Sequence, residues 1–316
     1  MLNGSEFTTS KPLIPDINFE TMFERMKAGW RLAKQVRHSV SKDMTLYLFP
    51  ILSGFVGVFL FAITFLALFL AFPLGSSGSD YIYLAGFILA YILVGFFSTY
   101  FLLSMLIAFR AYSGGNPISF RSAMSQAWGF KAQILEWAVF YTILVMILRV
   151  IESRFRGIVQ LLVATAGSLL IATATFFAVP AILNNKVGPI KAVEESVSTI
   201  KKNFGSTFGG VAYVDLYTLI FTLGGFLIIL LSIFLLSSFA SLLIMISGIA
   251  AGLVIMAFGL ILNYTYLNIL KLVLFDYVNG KGLPEGFNEG DIRNAIRKRG
   301  AGSSLNSSQG NSNFPF

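Results

Sequence analysis

The chain has 316 residues, 56% of them hydrophobic and 12% charged, with a mean hydropathy of +0.76; soluble domains carry about 25% charged residues, so a water-soluble fold is excluded. There are no cysteines and one histidine, His38, which removes disulfides, thiolate chemistry and cysteine metal sites, and no acidic cluster is spaced to hold a metal. The formal net charge of +8 lies mostly outside the apolar stretches, and beside a bilayer it points to anionic lipid headgroups rather than nucleic acid.

Residues 1–18 read as a polar N-terminal tail, and no signal-peptide core precedes residue 45, so insertion through the first span is expected. Residues 19–44 carry an amphipathic pattern, with Phe19, Met22, Phe23, Met26, Trp30 and Ala33 on one side and Arg31, Lys34 and Arg37 largely off it. This predicts a helix lying on the membrane, anchored at the interface by Trp30, Arg31, Lys34 and Arg37. From residue 45 to 275 the chain is a transmembrane domain of six apolar stretches. They are Leu46 to Phe72, Tyr81 to Phe109, Ala132 to Ile151, Ile158 to Leu183, Phe208 to Leu236 and Leu242 to Leu274. Each supplies the roughly 20 residues that cover a hydrocarbon core about 30 Å thick.

The connectors follow in order. Gly75-Ser76-Ser77-Gly78 has the glycines of a phosphate loop but not the following Lys-Ser/Thr, so it reads as a short turn. Asn116-Pro117-Ile118 opens a second amphipathic helix over 118–130, capped by Ser119, with Phe120, Ala123, Met124, Ala127 and the interface anchor Trp128 as its apolar stripe. The third connector holds Arg149, Arg154 and Arg156, and Glu152 stands at helical spacing to neutralise Arg149 or Arg156. Gly188-Pro189-Ile190 repeats the earlier Pro-Ile opening and starts a third amphipathic helix over 189–204, with Ile190, Val193, Val197, Ile200 and Phe204 on its apolar face. Ser237 to Ser241 marks the turn between the last two spans. Residues 276–316 form a C-terminal tail, rich in Ser, Asn and Gly and disordered from about residue 302. All but Arg149, Arg154 and Arg156 of the 23 basic residues fall on one side, which places both termini in the cytoplasm.

Inside the spans, three polar residues stand out because an ionisable group at mid-bilayer costs about 2.5–3.5 kcal/mol on insertion scales. Glu136 lies one turn into span three, Asp215 two turns into span five and Asn263 two turns before Lys271 in span six, so all three fall in one leaflet. One reading is an interhelical polar clamp near the headgroups. The other is a proton- or cation-coupled site in a transporter, with Glu136 and Asp215 titrating. Gly248 and Gly252, and Ala164, Ser168 and Ala172, repeat at four-residue intervals and mark helix-packing faces, within the chain or between two copies. Pro50 and Pro180 read as a kink or stop near span ends, the other reading being the broken helices of a transporter.

Gly29-Trp30, Leu32, Lys34, then Asp43, Leu46, Leu48, Phe49 and Pro50 resemble the N-terminal signature of an uncharacterised prokaryotic family of six-helix integral membrane proteins. The likeness extends through the later spans to Phe287, Ile292 and Ala295, and departs at Met44-Thr45, where the family carries a charged run. The resemblance implies a fold and a membrane address but no catalytic residue. The repeated Pro-Ile helix is also distantly similar to the membrane modules found beside glycerophosphodiester phosphodiesterases, without their catalytic domain.

The expected fold is therefore all-α: a polytopic bundle of six transmembrane helices in the cell membrane, with amphipathic interfacial helices on the cytoplasmic side. The expected function is non-enzymatic and needs no metal or cofactor. It is that of a membrane-organising or partner-binding module whose partners are anionic lipids, a second copy in a homo-oligomer, or another membrane protein. The alternative is a small-solute or lipid transporter built on the intramembrane polar cluster.

Overall fold

Backbone polar groups in lipid must be satisfied within the chain, and the secondary structure among the described residues is helical throughout, with no strand. The computed structural model describes residues 19–72, 79–236, 242–281 and 287. The helices are α1 (Phe19–Val40), α2 (Leu48–Ala71, entered through a 3-10 turn at Met44–Tyr47), α3 (Ser79–Ser113), α4 (Phe120–Trp128), α5 (Lys131–Glu152), α6 (Gly157–Ala174), α7 (Ala178–Asn185), α8 (Pro189–Leu236) and α9 (Leu242–Val278). Six segments are long and apolar enough to cross a membrane: Met44–Ala71, Asp80–Ser113, Lys131–Glu152, Gly157–Asn185, Thr207–Phe234 and Met245–Val278. The Gly75 to Gly78 turn, the Ser237 to Ser241 turn, residues 1–18, Ile292, Ala295 and the tail beyond residue 287 lie outside the described residues.

Two boundaries differ from the sequence expectation. The helix expected over 189–204 is not separate from span five, because α8 runs unbroken from Pro189 to Leu236; the glycines between them are tolerated inside a helix, and no proline interrupts it. Span four, expected as one stretch from Ile158 to Leu183, is interrupted between α6 and α7 at Thr175 to Phe177. Pro180 sits in the first turn of α7, where its missing N–H has no partner to lose. Pro50 occupies the same kind of position at the start of α2.

Helix length explains where the core lies. With 18 residues α6 rises about 27 Å, enough for the hydrocarbon alone, whereas α3 with 35 and α9 with 37 rise about 52 and 55 Å. The excess of α3 and α9 emerges at the end that carries α1, α4 and α7, and the buried side chains gather there. Leu32, Val36, Leu46, Phe49, Leu103, Phe109, Ile182, Ile269 and Phe275 form one continuous cluster. At the opposite end burial is slight; α6 has no buried residue. The protein thus has a lipid-facing part, made of the hairpins α2–α3, α5–α6 and α8–α9, and a packed terminal layer capping one end of them.

Each helix of that layer buries small residues beside larger apolar ones. On α1 the buried face is Ala28, Leu32, Ala33, Val36 and Val40, while Trp30 is 41% exposed. The sequence pattern put Met26, Trp30 and Ala33 on the apolar side of a membrane-surface helix; of these only Ala33 is buried within the protein, and the side chains of Phe19, Met22 and Phe23 are not described. The reason is close approach to α8: a Cβ on Gly209 would collide with the Met26 backbone, and one on Gly210 would lie 3.3 Å from the Gly29 carbonyl oxygen. A face that meets backbone this closely selects Ala and Gly rather than Trp.

On α4 the expected stripe is the packed one. Ser119 caps the helix by accepting from the Ser122 N–H at 3.3 Å, Ala123 and Ala127 are buried, and Phe120 stacks on Phe49 at 4.6 Å. The start of α8 again differs, since Ala192, Ser196 and Thr199 are its buried face and Ile190 is 75% exposed. Ser196 explains this offset, because its Oγ accepts from the Phe177 N–H at 2.9 Å, an otherwise unpaired donor at the head of α7. Ser196→Ala is expected to cost about 1–2 kcal/mol, read as a lower unfolding midpoint in detergent, because it strands a buried N–H.

The small residues picked out on the spans divide. Gly252 packs against Gly225 of α8, and a Cβ on Gly248 would overlap Ser232 of the same helix, so this glycine pair joins α8 to α9 within one chain. On α6, Ala164 is half-buried while Ser168 and Ala172 are exposed; the residue that receives a neighbour there is Gly167, where a Cβ would collide with Leu148 of α5.

Candidate functional site

A girdle of aromatic side chains separates the two parts of the molecule. The edge of Trp30 meets the Tyr213 ring at 4.8 Å, Tyr213 stacks on Tyr217 at 6.3 Å, and Tyr217 lies 6.2 Å from Tyr266. Tyr47 and Tyr266 share a hydrogen bond between their hydroxyls at 3.0 Å. On the α3–α4 side, Trp128 packs against Phe96 and Tyr100, the Lys131 ammonium approaches its ring at 5.8 Å, and the Tyr100 hydroxyl donates to the Met124 carbonyl at 3.0 Å. Tyr and Trp collect at membrane–water boundaries because each has an apolar body and a polar tip. From this level to the far end of α3 or α9 is about 20 residues, the length that spans a hydrocarbon core.

Of the anchors chosen from the sequence, Trp30, Arg37 and Trp128 make ring contacts in this girdle. Trp30, Arg31 and Lys34 are exposed on α1 together with Lys27, His38 and, just beyond the helix, Lys42. This is a basic face on the side of α1 opposite its buried residues. Arg37 is half-buried instead, with its guanidinium carbon 4.5 Å above the centre of the Tyr217 ring and 5.8 Å from that of Tyr213. Trp128 is 49% exposed at the foot of α4.

The intramembrane trio does not assemble. Asn263 donates to Asp215 at 2.8 Å and also lies 2.9 Å from the Thr218 hydroxyl, tying α9 to α8 at girdle depth. Glu136 is exposed near the start of α5, with its carboxylate against Gly188 in the α7–α8 connector, about seven helical turns before Asp215 along α8. A coupled pair of titrating carboxylates needs both in one place, so the arrangement supports an interhelical clamp by Asp215 and Asn263 and leaves the transporter reading without its second acid. Among the described residues no three His, Asp or Glu side chains come together to hold a metal ion.

A stronger polar node, not anticipated from the sequence, lies about ten residues beyond the girdle. Arg110 Nη2, at the end of α3, donates to Asp276 Oδ2 of α9 at 2.6 Å and to Asn184 Oδ1 of α7 at 2.6 Å. Asn184 Nδ2 closes the triangle on Asp276 Oδ1 at 2.5 Å. Three returning span ends are thereby locked by one arginine, one amide and one carboxylate. The signal was present in outline: opposite charges at matching ends of spans that run in the same direction. At the other end of the molecule Arg149 donates to Glu152 at 2.8 Å, the pairing expected from their spacing. Glu152 is only 5% exposed, and its second oxygen has no partner among the described residues.

A family described only as one of unknown function, DUF6159, matches residues 78–282. The match carries no link to glycerophosphodiester phosphodiesterases. Neither the curated proteins nor the solved structures contain a match.

Proposed function

The chain belongs to DUF6159, a family of unknown function, and from that premise we propose a non-catalytic membrane module whose terminal layer docks anionic lipid headgroups at the cytoplasmic leaflet of the cell membrane, with both termini on that side. The observation that carries this reading is the exposed basic face of α1, with Arg31 and Lys34 near Trp30 and Lys42 exposed just beyond the helix. The apolar face of α1 is already used against α8, so the helix is held rigidly and its cations stay turned outward. Cations fixed at the leaflet surface attract anionic lipid by about 1 kcal/mol each. The preponderance of basic residues on the side of the termini supports the orientation.

The test is the composition of lipid that remains with the full chain after purification in mild detergent. Anionic phospholipid is expected to be enriched over its share of the source membrane. Replacing Lys34 and Lys42 together by Glu is expected to cut that enrichment by about tenfold, with a further loss as salt rises. Bound lipid of the same composition as the bulk membrane would overturn the proposal.

A further inference from the structure

We propose that Arg37, with the tyrosines around it between α1, α8 and α9, forms a discrete site for a phosphate oxyanion, supplied by a phospholipid headgroup; this rests on the headgroup-docking function and names the place where one headgroup is received. The Arg37 guanidinium is half-buried over Tyr217 and makes no ion pair or hydrogen bond among the described residues. A ring face satisfies part of its charge but none of its five N–H donors. Donors left over in a half-buried setting call for an acceptor, and a planar guanidinium fork fits two oxygens of one phosphate.

Two carboxylates close in sequence to residues of the site, Asp43 and Asp215, are engaged elsewhere. Asp43 Oδ1 accepts from the Thr45 backbone at 2.9 Å and from its hydroxyl at 2.5 Å. Asp215 stands between Tyr213 and Tyr217 in sequence, but two residues along a helix turn it about 200° away, and it accepts from Asn263. Additional donors are close by. The Tyr47 and Tyr266 hydroxyls share a single hydrogen bond, which leaves one proton of the pair to donate outward, and Tyr217 and Arg37 are within electrostatic reach of Tyr266. Lys34 and Ser41 are exposed one turn to either side of Arg37 on the same face. The depth is that of the aromatic girdle, where headgroup phosphates meet Tyr and Trp.

The experiment uses the full chain, stripped of lipid in a neutral detergent. It is titrated with dioctanoyl phosphatidylglycerol, with dioctanoylglycerol lacking the phosphate, and with inorganic phosphate, following intrinsic fluorescence and confirming adducts by native mass spectrometry. Phosphatidylglycerol is expected to saturate the protein and dioctanoylglycerol to leave it unchanged. Arg37→Gln is expected to weaken phosphatidylglycerol about tenfold, and Arg37→Lys, which keeps the charge without the fork, about threefold. Tyr217→Leu, which removes the ring under the guanidinium, is expected to weaken it as well, so a folding failure in any one variant leaves the test standing. Equal binding by wild type and Arg37→Gln would overturn this site while leaving headgroup docking intact. Wild-type binding of phosphatidylglycerol no better than dioctanoylglycerol, with no binding of inorganic phosphate either, would overturn both. Arg37-dependent binding of inorganic phosphate without phosphatidylglycerol binding would uphold the oxyanion site and overturn its lipid source.

Discussion

A single methyl on Gly252 is expected to force α9 away from α8 and cost about 3 kcal/mol, the upper end for overpacking. Its Cβ would lie 2.6 Å from the Gly225 carbonyl oxygen and 2.6 Å from Ile229 Cγ1; a Cβ on Gly225 would lie 2.5 Å from the Gly252 carbonyl oxygen. The obstacle on each side includes backbone, which cannot rotate out of the way as a side chain does. Gly224 is the internal control, since a Cβ there meets nothing within 4 Å. Gly224→Ala should be neutral or gain up to about 1 kcal/mol in helix propensity. Because Gly225 and Gly252 obstruct the same crossing, the double Ala variant is expected to cost less than the two single costs combined. Unfolding of the full chain in mixed micelles by a denaturing detergent separates these cases, and matching midpoints for Gly224→Ala and Gly225→Ala would contradict the close crossing.

Asp276→Ala is the second large effect. Removing one partner of a buried ion pair costs about 3–5 kcal/mol because the other charge is stranded. Here the Arg110 side chain is 38% exposed and that of Asp276 15%, so water takes up part of the stranded charge and the expected cost falls to about 2 kcal/mol. The loss reaches further than one pair, since Asp276 also accepts from Asn184 and so holds α3, α7 and α9 together. Asn184→Ala removes only neutral hydrogen-bonding and is expected to cost about 1 kcal/mol. Proteolysis in detergent reads this locally, with cleavage expected around α7 in Asp276→Ala before the hairpins come apart. Unchanged protease resistance and an unchanged unfolding midpoint would show that the triangle carries no stability.

Much of the fold was legible because lipid imposes a simple rule: long apolar stretches must be helices, and their number follows from length. The α4 stripe was legible for a similar reason, since Ala123 and Ala127 are both apolar and small. On α1 and the start of α8, hydrophobicity and closeness of approach point to different faces. Trp30 and Ile190 are the more apolar residues, yet Ala28 and Ser196 are the buried ones, and α1 meets α8 through the Met26 and Gly29 backbone. A periodicity count weighs the first property and not the second. The polar residues divide in the same way. Asp215 and Asn263 could be matched by depth, because antiparallel neighbours share a level. Glu136 does not join them: it stands near the start of α5 against the α7–α8 connector, a placement that no single-span pattern contains. The Arg110, Asn184 and Asp276 triangle draws one residue from each of three spans far apart in the chain, so it became visible only with all three in place.

The terminal layer takes its core from every hairpin, including Phe275 and Asp276 in the last turns of α9. During synthesis, a ribosome that has delivered the first two hairpins has therefore produced membrane-inserted helices whose shared cap is still missing a wall. Until α9 emerges, Phe177 lacks its neighbour Phe275 and Arg110 lacks its carboxylate. Maturation thus ends in a single late step, and a nascent chain stalled before it would offer quality-control proteases an unsealed apolar seat with an unmatched cation at its rim.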